Sequence, residues 1–244
     1  MRASCQTQKR RVILPFMSRP AARVAIASAV VGAGLVAILL LLLRSQAAPV
    51  ASAPAAPPVA SASAGGALVV RDDSHILGDP ADGSVVVVEF LDFECEACGA
   101  WYPVIERLRK QYDGQVRFVH RYFPLPGHVN AMDAALAAEA AAQQGAYEAM
   151  YQKLFETQRE WGESQESKAA LFRSFAEQLG LGMADYDAAV ASEETFARVE
   201  QDVADGAALG VQGTPTFFLN GQRIQPVGPE DFASSIDAQL AAAG

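Results

Sequence analysis

The hydrophobic pattern changes character along the chain. From Val24 to Leu43, "VAIASAVVGAGLVAILLLLL", 20 residues pass without a charge. As a helix rising about 1.5 Å per residue, such a run spans the roughly 30 Å hydrocarbon core of a bilayer. Residues 44–66 then offer nine Ala, four Pro and four Ser and almost nothing to bury. That composition reads as a linker, with a reach between about 26 Å as a coil and about 68 Å as extended polyproline II. From residue 67 to 244 the periods of a folded domain appear.

Within that domain "SVVVVEF" at 84–90 is a short β-branched run behind Asp82-Gly83, and it predicts a buried central strand. Ala97, Trp101, Val104, Ile105, Leu108 and Tyr112 then recur at helical spacing, with Glu106, Arg107, Arg109 and Lys110 on the outer side. Pro103 falls inside this helix, where a kink is expected. "QVRFVHRYFPL" at 115–125 predicts a second strand. Strand, helix, strand implies parallel pairing through a right-handed crossover. Residues of about 130–210 are helical in pattern and rich in alanine, with glycines dividing them into about four helices. "TPTFFLNGQRI" at 214–224 predicts two strands around a type I′ turn at Asn220-Gly221. "PEDFASSIDAQLAAA" at 229–243 predicts a last helix with Pro229 at its start and Phe232, Ile236 and Leu240 as its buried stripe.

Charge orients the apolar run. Arg2, Lys9, Arg10, Arg11, Arg19 and Arg23 precede it, and only Arg44 closely follows. The positive-inside rule puts residues 1–23 in the cytoplasm and the domain outside. An uncleaved single-pass anchor over 24–43 is expected. A cleaved signal peptide is the rival, though its apolar region is usually shorter. Met17 is a second plausible start, in which case Cys5 is not translated. In residues 45–244, 12 Lys and Arg face 28 Asp and Glu. So acidic a body is not built to bind nucleic acid.

The chemistry concentrates in "EFLDFECEACGAWYP", residues 89–103. Cys95 and Cys98 could be half of a metal clip, a structural disulfide, or a redox pair. A structural zinc site wants four ligands, and His75, His120 and His128 form no H-x3-5-H pair. A disulfide closing so short a loop removes little unfolded-state entropy, which makes it a poor staple. A cysteine where a strand meets a helix has its thiolate stabilised by the free N–H groups and the dipole. Cys98 lies one turn on, where it can close on Cys95 or resolve a mixed disulfide. Cu(I) held on two thiolates is a further alternative, since soft metal suits soft ligand. His120 and His128 read as ordinary structural histidines, and Trp101, Tyr102, Tyr122 and Phe123 mostly as core.

The order β-α-β, helical block, β-β-α, with "CEAC" at 95–98, "YFPL" at 122–125 and "GTPTFFLNG" at 213–221, resembles the thioredoxin superfamily in its DsbA-like branch. The resemblance covers about residues 68–243. It implies an α/β thioredoxin fold carrying an inserted helical subdomain, here preceded by one transmembrane helix. It implies dithiol exchange at Cys95 and Cys98 without a cofactor or metal. Glu89 matches the family's buried acid beneath the second cysteine, where it relays protons. Thr214 and Pro215 match the cis-proline loop that pairs with substrate. The implied role is disulfide formation in secreted or cell-envelope proteins, in exchange with a membrane partner, either a quinone-linked reoxidase or an electron donor. Reductase or isomerase action of the same fold is the alternative, although no dimerisation domain is evident. Glu96 and Ala97 stand between the cysteines where the DsbA type has proline and histidine. With Glu94 and Glu96 flanking Cys95, its ionisation is expected to be opposed and its disulfide to be a weaker oxidant.

Overall fold

The computed structural model describes residues 69–78 and 85–243. The basic tail, the apolar run Val24–Leu43 and the linker lie outside the described residues. Among the described residues, no helix is long and apolar enough to cross a membrane.

Five strands form one sheet: β1 (His75–Leu77), β2 (Val85–Leu91), β3 (Val116–Tyr122), β4 (Thr216–Leu219) and β5 (Gln222–Ile224), in the order β1-β3-β2-β4-β5. β2 and β3 are parallel, and the other three pairings are antiparallel. The crossover from β2 to β3 is helix α1 (Glu96–Gln111), which runs on through Pro103. Between β3 and β4 come α2 (Ala131–Ala142), α3 (Tyr147–Glu156), α4 (Gln158–Trp161), α5 (Ala169–Gln178), α6 (Met183–Val190) and α7 (Glu193–Ala208), and α8 (Pro229–Ala243) closes the chain. The sheet and helices make a mixed α/β fold of thioredoxin type.

β2 is the inner strand, and its valines are there because both faces are covered. Val85, Val87 and Leu91 point into one core with Ile105 and Leu108 of α1 and Phe232 and Ile236 of α8. Val88 and Phe90 point the other way, into a core with Val119, Phe123, Val211 and Phe218. Gly206 lets α7 press onto this second face. A Cβ there would meet Phe123 Cδ2 at 2.7 Å. The turn at Asn220-Gly221 has φ of 48° and 78°, as a type I′ hairpin demands.

β1 is an addition to the sequence reading. Its three residues pair antiparallel with β3 and form the outer edge of the sheet. The helical block also holds six helices rather than four, because α4 and α6 are too short to show a period of their own.

Candidate active site

The site forms where β2 ends and α1 begins. Cys95 is the N-cap of α1, with φ −65° and ψ 120°, and no side chain caps the helix. The helix start is therefore left to the sulfur, with the N–H groups of Ala97 and Cys98 directed at it. Across the site the Thr214–Pro215 bond is cis, and Cys95 Sγ lies 3.3 Å from the Thr214 carbonyl oxygen, to which it donates while it keeps its proton. Cys95, Cys98, Thr214 and Pro215 thus meet, although 119 residues separate Cys95 from Thr214.

The two thiols are free, and their environments differ. Cys95 reaches the surface at 8% exposure; Cys98 is at 0%. A hydrogen bond from Cys98 is the main reason that the Cys95 pKa falls from 9.0 to about 5. Burial opposes the shift. The Thr214 hydroxyl and the backbone N–H groups of Cys98 and Ala97 reinforce it. That hydroxyl is buried without a well-formed hydrogen bond, so it is free to turn to a developing thiolate. Cys98 is driven well above 9.0 by burial, by its bond to Cys95, and by the charges of Glu89 and Cys95. One thiol is an anion at neutral pH and the other keeps its proton.

Glu89 shares the face of Val87 and Leu91, beneath α1. It is 4% exposed. Burial first, and then the charges of Cys95 and Glu106, push its carboxyl up from 4.5 to about 8.

Three polar residues hold the loop before α1: Asp92 and Gln158, which sequence reasoning passed over, and His128, which it read as an ordinary structural histidine. Asp92 accepts from Glu94 N at 2.7 Å, from Leu125 N at 2.9 Å and from His128 Nδ1 at 2.6 Å. Its carbonyl takes the Cys95 N–H. His128 is thereby drawn to the site. Burial works against its protonation, but the bond to Asp92 and the negative charge of Asp92, Cys95 and Glu94 raise its pKa above 6.5. Gln158 of α4 donates to the carbonyls of Phe93 at 2.7 Å and Cys95 at 2.9 Å. It fits because residue 99 is glycine, where a Cβ would fall 2.0 Å from Gln158 Oε1.

The expectation for the acidic flanks is overturned. Glu94 is buried, and its carboxylate accepts the N–H of Asn130, the N-cap of α2, at 2.6 Å. A helix start thus takes up its charge. Glu96 is exposed and faces Glu163. Neither is among the groups that set the Cys95 pKa. Trp101 packs edge-on against Phe217 and Phe232 and lines, with Pro215 and Arg223, a shallow cleft of about 200 Å³. Among the described residues, no three His, Cys, Asp or Glu side chains gather as metal ligands do.

A sheet of this order, with a dithiol at the start of the crossover helix and a cis-proline loop facing it, defines a thioredoxin-type domain. A family model described as thioredoxin matches residues 71–238, and the chain belongs to that family. It is 28% identical to a thioredoxin-like oxidoreductase from Silicibacter pomeroyi DSS-3, with a TM-score of 0.61 over 73% of this chain and 98% of that one. The alpha-DsbA1 of Wolbachia pipientis shares the fold at 19% identity, with a TM-score of 0.65 over 73% of this chain and 96% of that one. Among curated proteins, the Na(+)/H(+) antiporter NhaA 1 of Mycobacterium sp. (strain KMS) is 37% identical over 169 residues, which is 67% of this chain and 26% of the antiporter. The chain spans about a quarter of the length of the curated relatives it matches.

Proposed function

We propose that the protein is a thiol–disulfide oxidoreductase that acts outside the cytoplasm, anchored through residues 24–43, and forms disulfides in secreted or cell-envelope proteins. The observation that carries this reading is the unequal dithiol. An accessible sulfur caps a helix beside a cis-proline loop, and a sealed second sulfur stands one turn behind it.

In the oxidising direction a substrate thiolate attacks Cys95 Sγ of the enzyme disulfide. The new bond joins substrate to Cys95, and Cys98 leaves and takes a proton from Glu89. A second substrate thiolate then attacks the substrate sulfur of the mixed disulfide, and Cys95 departs as a thiolate. Helix start, Thr214 and Cys98 all stabilise that leaving group. A disulfide whose reduced form is so stabilised is a strong oxidant, so the low Cys95 pKa favours oxidation over reduction or isomerisation. A quinone-linked membrane partner would reoxidise the pair. Thr214 and Pro215 would offer backbone to an extended substrate segment.

The test is the reduction potential of Cys95–Cys98, together with oxidation of a reduced, unfolded substrate. A potential near that of DsbA, about −120 mV, with rapid substrate oxidation supports the reading. A potential near that of thioredoxin, about −270 mV, assigns the reductase direction instead.

A further inference from the structure

Glu89 stands in the middle of the sheet, so a proton gained or lost there has to travel. The strand register lays out a route. Glu89 of β2 is the Cα partner of His120 on β3, and His120 is the partner of His75 on β1. Paired residues on neighbouring strands point to the same face. Three titratable side chains therefore form a row from beneath the dithiol to the outer edge of the sheet.

The middle member is poorly explained by packing alone. His120 is 1% exposed, and its Nε2 has no hydrogen-bond partner. A polar atom sealed in that state keeps an unpaid desolvation cost. That nitrogen lies 3.8 Å from Glu89 Oε2. The other ring nitrogen, Nδ1, is 3.1 Å from the Tyr147 hydroxyl. Tyr147 stacks on His75 with ring centroids 3.8 Å apart. His75 Nε2 meets Glu139 Oε2 at 2.8 Å and the Tyr122 hydroxyl at 2.9 Å, and the His75 side chain is 12% exposed.

We propose that His120 is a positioning residue that carries protons between Glu89 and Tyr147, and so connects the buried end of the dithiol to the sheet edge. This rests on the exchange reading above. On unloading, once the pair closes from 3.8 Å to hydrogen-bond distance, the Glu89 O–H bond breaks as His120 Nε2–H forms, His120 Nδ1–H breaks as a bond to the Tyr147 oxygen forms, and the original Tyr147 proton passes on to water. Loading runs the same steps backwards. No electrons move, and the ring begins and ends neutral with its tautomer exchanged.

The groups around the ring suit a neutral carrier. Tyr147 and Tyr151 face it from α3, Arg109 from α1, and His75 and Glu89 from the neighbouring strands. Burial, then Arg109 and His75, hold its pKa well below 6.5, so it does not rest as a cation. Glu89 is influenced further by Cys95 and Glu106. With a carboxyl titrating at about 8, Glu89 already holds a proton at pH 7. It must release that proton before it can take the one on Cys98.

The test separates the two exchange steps in single turnover of the full chain, with a small disulfide peptide as probe. In the reduced protein, Cys95 attack forms the mixed disulfide and Cys98 resolves it. His120→Gln keeps a polar group but cannot exchange tautomers. It should slow resolution at least tenfold at pH 7, leave attack within twofold, and converge on the wild-type rate near pH 9, where hydroxide can unload Glu89. Tyr147→Phe breaks the far link without touching Glu89 and should do the same; it decides the matter if His120→Gln does not fold. Wild-type resolution rates at every pH in a folded variant would overturn the relay. Absence of exchange in the wild-type protein would instead overturn the function on which it rests.

Discussion

Replacing Glu89 by Gln should make the reduced protein more stable at neutral pH, by a margin that grows as the pH rises from 4.5 to 8. The Glu89 carboxyl titrates at 4.5 when unfolded and at about 8 when folded. Below pH 4.5 both states hold the proton and the group contributes nothing. Between 4.5 and 8 the unfolded chain ionises first, so the folded state loses about 1.36 kcal/mol per pH unit. At pH 7 the loss amounts to about 3 kcal/mol, and above pH 8 it saturates near about 5 kcal/mol. Cys95 works the other way. Its pKa falls from 9.0 to about 5 on folding, so the stability it contributes is gained as pH rises through that window and lost as pH falls toward 5. Taken alone, these two contributions nearly cancel from pH 5 to 8, one buried acid against one depressed thiol. Glu89→Gln removes the falling contribution and leaves the rising one. Urea unfolding of reduced wild type and variant at several pH values between 4 and 9 reads the difference directly. A difference that is independent of pH, or a variant less stable than wild type at pH 7, would refute the buried-carboxyl argument.

Cys98→Ala removes the largest contribution to the low Cys95 pKa, so ultraviolet titration of the thiolate should find the midpoint shifted upward by at least one pH unit, and mixed disulfides should accumulate with substrate. Glu94→Gln combined with Glu96→Gln should leave the Cys95 midpoint where it is, since one carboxylate is bound to Asn130 N and the other is exposed; a fall of a full unit would restore the charge-repulsion argument. Oxidation of the dithiol removes the Cys95 charge, so nuclear magnetic resonance titration should find His128 titrating at lower pH in the oxidised protein than in the reduced one. Gly99→Ala forces Gln158 from its place against the Phe93 and Cys95 carbonyls, and should cost about 1–3 kcal/mol by denaturant unfolding for the acceptor left unpaired.

What could be read from the sequence was what depends on neighbours along the chain. The spacing of Cys95 and Cys98, the glycine turn after Asn220 and the start of the last helix at Pro229 are local, and each appears where its residues demand. β1 escaped because three residues carry no measurable period. Gln158 escaped because its partners lie 63 and 65 residues earlier, and nothing in "TQREW" indicates what its amide will reach. The instructive error concerns Glu94. One residue from the nucleophile in sequence, it was expected to act on it. At a junction of strand and helix, however, successive side chains leave in different directions. Glu94 leaves toward the start of α2, a helix 36 residues away in sequence, and its charge serves that helix. The reverse holds for His120. A strand by itself shows only which of its residues share a face, and pairing with β2 and β1 decides what stands beside them. His120 is an unremarkable histidine in "VRFVHRY" until the register sets Glu89 on one side and His75 on the other. Charge near the dithiol is thus governed by which element each group is bound to, and sequence distance from Cys95 is a poor guide to it.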